Sequence, residues 1–309
     1  MEATKSPTKY QPDSQIPQLE DRDLGQPNLD DEGEPVRWHR PLPFLAQDVI
    51  DLGFDLPNPF GIALIPVNIQ QDLVLQDLAI SVDGGPPVEI DFVDFGTPSV
   101  ENTVLQLKLD AWVFPFMNVY ATIGKFDGDA KVPLTIQGKD LFPTLCGATP
   151  NIPQCVRTFN GVARPEYDGT NISVGINLAM CWDRFFVALP MTYAWTDVDI
   201  IDTTVTALNV SPRFGVSGDL DRFGTMAMFI GATYQKAEVD LEGKITFDTP
   251  GGPDGDTTTI DFKINQRNKD RWNYLLGFNW DFNKSWSLNA EAGFLGSRDN
   301  LIAGVTYRF

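Results

Sequence analysis

The sequence predicts an all-β fold: a transmembrane, antiparallel, up-and-down β-barrel of about ten strands, with twelve possible, behind an N-terminal tail. Three observations predict it. From about residue 59 to the end, apolar and polar side chains alternate with period two. The links between the alternating runs are short and long in turn. Aromatic residues gather beside the short links. A chain of 309 residues can hold one large all-β domain or two smaller ones. No stretch approaches the roughly 18–20 apolar residues of a membrane helix, but barrel strands average out in such a scan.

Residues 1 to about 40 are polar, acidic and rich in proline. Such a segment cannot bury enough apolar surface to offset its ordering entropy, so a loosely ordered tail is expected. Asp30-Asp31-Glu32 reads as a solvated run, and Arg37-Trp38-His39-Arg40 as a basic-aromatic island. Phe44 to Leu52 has helical spacing. A short helix there could rest at the barrel mouth, plug the lumen, or lie as a linker on the rim. A first strand is expected near Phe60–Val67, where the pattern does not set the facing.

The later strands declare their faces. Leu105, Leu107, Leu109, Ala111 and Val113 alternate with Val104, Gln106, Lys108, Asp110 and Trp112. Met117 to Ile123, Ile172 to Met180 and Val187 to Trp195 follow the same rule. So do Leu208 to Val216, Met226 to Tyr234, Trp272 to Trp280 and Trp286 to Phe294. Pro190 and Pro212 fall mid-strand, where each removes a ladder hydrogen bond, so bulges or strained pairing are expected there. Short links lie near Phe114–Phe116, Trp182–Arg184, Ser217–Phe223 and Phe282–Ser285. Long ones cover 68–102, 127–169, 197–203, 237–270 and 296–300. Leu73–Val82 and Pro87–Phe92 could enter the wall, but extension of strands above the membrane suits them better. Phe114, Phe116, Trp182, Phe185, Phe223, Phe282 and Trp286 sit by the short links, where amphipathic rings favour the lipid–water interface. A soluble β-sandwich would instead join the apolar faces in a core. The many Gly, Ala, Ser and Asn on the other faces suit a confined lumen better.

The last nine residues carry a resemblance. Leu301, Ala303, Val305, Tyr307 and Phe309 share one face, against Ile302, Gly304, Thr306 and Arg308. An apolar, aromatic-tipped strand ending on Phe309 resembles the C-terminal strand of Gram-negative outer-membrane β-barrel proteins. The resemblance implies that the assembly machinery reads Leu301, Ala303, Val305, Tyr307 and Phe309. It implies outer-membrane lipid and lipopolysaccharide as surroundings, a periplasmic tail over 1–58 and a barrel over 59–309. Met1-Glu2-Ala3-Thr4-Lys5 lacks the basic start and apolar core of a signal peptide. An exported barrel needs one, so numbering from a mature or re-engineered N-terminus is expected.

Composition narrows the chemistry. A formal charge of −19 argues against nucleic acid as a partner. The single histidine, His39, lies in the tail. Omptin proteases, outer-membrane phospholipases and lipid A deacylases use a barrel histidine, and no strand residue here fills that role. A Ser/His/Asp site or His-ligated zinc is therefore not expected, nor is any enzyme activity, cofactor or metal. Gly251-Gly252 lacks the Lys-Ser/Thr of a phosphate loop, and Asp248–Asp256 reads as a solvated turn rather than a calcium loop. Cys146 and Cys155 flank a short loop and could form a disulfide or stay free, while Cys181 is expected to pack against the wall.

Lys108, Asp110, Arg213, Asp281, Glu291 and Arg308 all take the inward parity. Unpaired charge in a narrow lumen is costly, so cross-barrel pairing is expected. Such a layer either fills the interior as a salt-bridge network or forms a constriction that selects small solutes. The expected role is a narrow channel or small-solute barrel. The alternative is a structural or adhesin-like barrel acting through 68–102, 127–169 and 237–270.

Overall fold

The computed structural model describes residues 18–19, 35–82, 84–90, 92–141, 143–148, 152–182, 184–248 and 257–309. Asp30–Glu32 and residues 249–256 of the acidic glycine loop lie outside the described residues. In chain order, β1 (Gln18–Leu19) pairs with β2 (Phe54–Asp55), and helix α1 (Ala46–Ile50) lies between them. Strand β3 (Phe60–Val82) is followed by two short strands, β4 (Val88–Glu89) and β5 (Val93–Phe95), then by β6 (Ser99–Phe114) and β7 (Met117–Gln137). Three helical turns, α2 (Gly138–Leu141), α3 (Pro143–Ala148) and α4 (Pro153–Val156), lead to β8 (Thr158–Ala163) and β9 (Glu166–Trp182). Next come β10 (Phe185–Val198), β11 (Val205–Val210), β12 (Arg213–Asp219) and β13 (Thr225–Lys236). The hairpin β14 (Glu238–Asp248) and β15 (Thr257–Asn268) precedes β16 (Trp272–Asp281), β17 (Trp286–Phe294) and β18 (Arg298–Arg308).

All but β1 and β2 join one sheet of sixteen strands, and every pairing is antiparallel. The ladder steps from β3 to β6, β7, β9 and β10, passes through β11 and β12 to β13, and continues to β16, β17 and β18. Strand β18 then pairs with β3, Ile302 facing Val67 and Arg308 facing Gly61. This return satisfies the edge groups that an open sheet would leave bare.

The faces are the reverse of a water-soluble sheet. Leu64, Leu109, Met180, Ile230 and Leu301 are each more than half exposed, while Asp110, Asn118, Ser173, Asn279 and Thr306 are buried. Burying polar groups and baring leucines is unfavourable in water and favourable in lipid. Aromatic rings bracket the apolar band. At the short-turn rim Phe60 meets Phe309, Phe114 meets Phe116, Trp182 meets Phe185, and Trp286 meets Tyr307. At the other rim Tyr193 packs on Trp195 and Tyr234 on Trp272. Trp272 and Trp280 stand at opposite ends of β16. That separation is about 27 Å along a strand, close to the ~25 Å apolar band of a tilted membrane strand.

Two sequence expectations need correction. The two prolines bring no bulge: β10 keeps one register with β11 and β12, Met191 facing Val210 and Ala188 facing Arg213. Pro190 and Ser211-Pro212 lie side by side. Ser211 N–H still donates to Pro190 O at 2.9 Å, so the missing bonds open the ladder locally without shifting it. The segments 68–102, 127–169 and 237–270 are not mainly loop. Strand β3 extends through Leu73–Val82 as the sequence leads one to expect, and what the sequence does not show is that β15 pairs along it from Asn268↔Leu73 to Ile260↔Val82. Strands β5 and β8 flank the outer half of β7 in the same way. The sequence pattern leaves the facing of β3 open, and its inner face is apolar. Ala63 and Val67 are buried there, with Ile65 and Ile69 packed beside them.

Among the described residues no helix is long and apolar enough to cross a membrane, which says nothing of crossing by strands.

Candidate functional site

The interior of the ring is built by parity. Every second residue of β6, β7, β9, β10, β13, β16, β17 and β18 points inward, and near the short-turn end these side chains are buried. Trp112, Asn118, Phe186, Thr225, Asp281, Ser287 and Arg308 form that buried tier. Higher up, inward Gln106, Tyr120, Asn171, Thr192 and Asn300 are only half-buried. Toward the long links Val67, Val104, Phe126 and Ser173 are buried beside them.

Five of the six predicted lumen charges fall into two groups. The first lies across the β18–β3–β6 seam. Arg308 Nη2 donates to Asp110 Oδ1 at 2.7 Å, and Asn118 Nδ2 donates to the same oxygen at 2.8 Å. Lys108 Nζ stands 3.5 Å from Asp110 Oδ2 and 5.1 Å from the centre of the Tyr120 ring. Gly61 separates the partners, because both Asp110 and Arg308 sit opposite it in the ladder. A Cβ on Gly61 would come within 2.6 Å of Asp110 Oδ2, so only glycine leaves room for the carboxylate. The second group joins Arg213 on β12 to Glu291 on β17, Nη2 to Oε2 at 2.7 Å, across the intervening β13 and β16. Arg213 also lies over the Phe229 ring at 5.0 Å. Asp281 is the sixth. It sits at the short-turn end, where Asn279 Nδ2 donates to its Oδ2 at 2.9 Å.

Apolar clusters fill much of the remaining interior. Val67, Val104 and Phe126 pack with Ile65, Ile69, Tyr167, Val198 and Ile302 on one side. Phe186, Ala227, Phe229 and Leu275 pack with Cys181 and Ala188 on the other. Cys181 therefore lines the interior. The inward face of the sheet is amphipathic, with ion-paired groups between apolar clusters. Buried Asn177 Oδ1, Arg308 Nε and Trp112 Nε1 have no hydrogen-bond partner among the described residues. Groups of this kind take water partners when water reaches them.

Outside the lumen, the five terminal-strand residues lie on the outer face of β18, with Leu301, Val305, Tyr307 and Phe309 exposed. Cys146 and Cys155 are joined as a disulfide with Cα atoms 5.5 Å apart, beside β8. His39 is exposed. Above the apolar band, a cleft of about 480 Å³ is lined by Glu101, Asp127, Asp129, Glu166, Asp168 and Asp199. Its acids stand in cross-strand register, Glu101 with Asp129 with Glu166, and Asp127 with Asp168.

Sequence reasoning missed four residues that complete the lumen groups: Asn58, Asn118, Tyr120 and Phe229. Inward parity placed Asn118 and Tyr120, but nothing in the pattern marked them as partners of Asp110 and Lys108. Among the described residues no group of three or more His, Cys, Asp or Glu side chains is arranged to hold a metal ion.

No family model matches this chain, and no curated relative does. Among solved structures it is similar to the translocator domain of the autotransporter NalP from Neisseria meningitidis, at 13% identity and a TM-score of 0.36, covering 81% of this chain and 88% of that one. It is also similar to the CymD monoaromatic hydrocarbon channel, at 10% identity and a TM-score of 0.32, covering 82% and 89%. The Pseudomonas putida toluene transporter TodX matches at 8% identity and a TM-score of 0.29, covering 79% and 88%. These likenesses single out no subfamily. The reading below rests on the chain's own faces and pairings.

Proposed function

We propose that residues 59–309 form a closed barrel of ten wall strands in the outer membrane of a Gram-negative cell, with residues 1–58 on the periplasmic side. The returning β18–β3 ladder, the exposed apolar band and its two aromatic rims support this. In this reading β11 and β12 are one interrupted strand, and β4, β5, β8, β14 and β15 form a crown beyond the lipid. Lipid and lipopolysaccharide cover the band, and the assembly machinery reads β18.

The barrel is a narrow channel or binding vessel for small solutes. It carries out no catalysis and uses no cofactor. The observation that carries this is the inward charge belt, in which Lys108, Asp110 and Arg308 face the lumen together and Arg213 pairs with Glu291. Fixed charges on a polar, confined path select solutes by sign and size. Planar-bilayer recording tests the reading. Conductance whose ion selectivity shifts in Arg213→Ala or Lys108→Ala supports it. Silence at every voltage and salt, in the intact protein and in both variants, counts against it.

A second reading has its own observation. The crown is folded, with eleven consecutive pairs in the β14–β15 hairpin and a disulfide beside β8. A crown of this kind suits surface interaction. Trimming 238–268 then abolishes partner binding while the barrel remains folded. Unchanged binding after trimming rejects this reading.

A further inference from the structure

The short-turn mouth of the tube is not bare. The chain from residue 35 to residue 59 meets the short-turn ends of β6 and β18 and the β16–β17 turn, and has a small core of its own. Ala46, Ile50 and Leu56 are buried and pack with Val36, Trp38 and Val49. Gln47 ties this unit together. Its Oε1 accepts from Trp38 N–H at 2.9 Å, and its Nε2 donates to Val36 O at 3.1 Å and to Asp51 Oδ1 at 2.7 Å. Trp38 Nε1 donates to Leu42 O at 2.8 Å.

This unit is fastened to the wall at separate points. Phe44 N–H donates to Val113 O at 2.9 Å at the end of β6, and the Phe44 ring lies 5.8 Å from Phe114. Trp112 N–H donates to Pro59 O at 2.8 Å. Farther around the ring, Asn58 Nδ2 donates to Lys284 O at 2.9 Å in the turn between β16 and β17. Arg308 Nη1 donates to Asn58 O at 3.3 Å while its Nη2 holds Asp110. One guanidinium therefore joins the lumen charge belt to the segment beneath it. Consistent with a covered mouth, Trp112, Phe186, Thr225, Asp281, Ser287 and Arg308 are all buried, although they point into the tube at its end.

We infer that residues 35–59 are a latch that seals the short-turn mouth, so that the lumen opens to that side only when the latch lifts from Asn58, Arg308 and the β6 end. This rests on the channel reading above and deepens it, because it places the gate at the floor rather than in the crown. The attachment is many-pointed but mostly by single hydrogen bonds, and its small apolar core is the part whose loss frees it. The 34 residues that precede it carry nine acids against three bases, a handle of one charge sign.

The test uses the full chain in detergent or liposomes, with Cys181→Ser to remove the free thiol and Ser287→Cys as a reporter on the lumen floor. Labelling by a small charged methanethiosulfonate is slow with the latch intact. Leu56→Asp and, independently, Ile50→Asp place a carboxylate in the latch core, and each accelerates labelling at least tenfold. Gel mobility of the unheated protein confirms that the wall is folded, and Gln47→Ala serves as a milder third variant if either carboxylate prevents folding. Labelling equally fast with and without an intact latch overturns the proposal. Bilayer recording of the same variants separates the two readings. Faster labelling with no conductance keeps the latch and rejects the channel. Conductance equal to the intact protein with unchanged labelling keeps the channel and rejects the latch.

Discussion

Two groups of opposite charges, one on the floor of the tube and one on the crown, use the same chemistry in opposite surroundings. Asp110 has a fully buried side chain, held by Arg308, Lys108 and Asn118. Lys263 on β15 pairs with Glu242 at 2.8 Å and Asp240 at 3.7 Å, all three more than half exposed. Water solvates the crown charges whether or not they meet, so their contact changes little. On the floor each charge is committed to its partner, because water cannot take the partner's place. Distance alone does not separate the two groups, since the closest contacts are 2.7 and 2.8 Å. Burial does.

The sharpest way to break this comparison is to remove one floor partner. Arg308→Ala leaves Asp110 buried with less compensation and frees Asn58 O, with an expected loss of about 3–5 kcal/mol in urea unfolding from micelles. Replacing Asp110, Arg308 and Lys108 together by Asn, Met and Met removes all three charges of the group and recovers most of that loss. A triple replacement as damaging as Arg308→Ala would show that shape at Gly61, rather than charge, sets the cost. Arg213→Ala comes next. Its side chain is 26% exposed and Glu291 is 8% exposed, so water reaches the pair more easily. A loss of about 1–3 kcal/mol is expected, below that of Arg308→Ala.

The acid-lined cleft is a third, intermediate case. Asp129 stands directly between Glu101 and Glu166 in the ladder. Like charges opposite one another on a sheet repel, so Asp129→Asn stabilises the crown by about 0.2–1 kcal/mol. The gain shrinks as salt is raised, because these charges are screened. Beside them lies Tyr167, beyond the apolar band, where burial pushes its phenol up to about 12 and nearby Asp129 adds to the rise. A phenol whose folded value exceeds its unfolded value near 10 stabilises fully below pH 10. That contribution is lost as pH climbs from 10 toward 12. Absorbance titration at 295 nm should show Tyr167→Phe removing a step near pH 12.

How much of this was legible in sequence follows from which residues declare one face. On β6, β9 and β16 the outward positions are large and apolar while most inward ones are small or polar, so parity alone places Leu109, Met180 and Leu276 outward. On β3 both parities are apolar: Ile62 and Leu64 turn outward, Ala63 and Val67 inward. Period-two reading has no purchase there, and the inner apolar cluster at Val67 went unseen. The hairpin 238–268 was read as a loop because the chain between its arms holds Pro250, Gly251, Gly252 and Pro253. The inward parity of Lys108, Asp110 and Arg308 was legible, but their convergence was not. That required the register which sets Gly61 between Asp110 and Arg308, and register is a property of pairing that a single strand does not contain.

The smallest expected effect sharpens the comparison from the crown side. Glu242 and Asp240 raise the pKa of Lys263, with the Glu242 hydrogen bond the largest cause. A lysine raised on folding stabilises fully below its unfolded value near 10.4, and the contribution disappears as pH rises through the folded value. From pH 7 to 9 Lys263 therefore stays charged, and its own titration does not change its contribution. Even so, Lys263→Ala should not shift the urea midpoint resolvably in that window, because exposed pairs contribute little and salt screens them. A clear loss at pH 7 that persists in 1 M salt would mean that the crown pair is not governed by solvent. Burial would then no longer account for the difference between Lys263 and Arg308, and the hairpin's docking on β3 would have to supply a rigidity that exposed charges do not normally have.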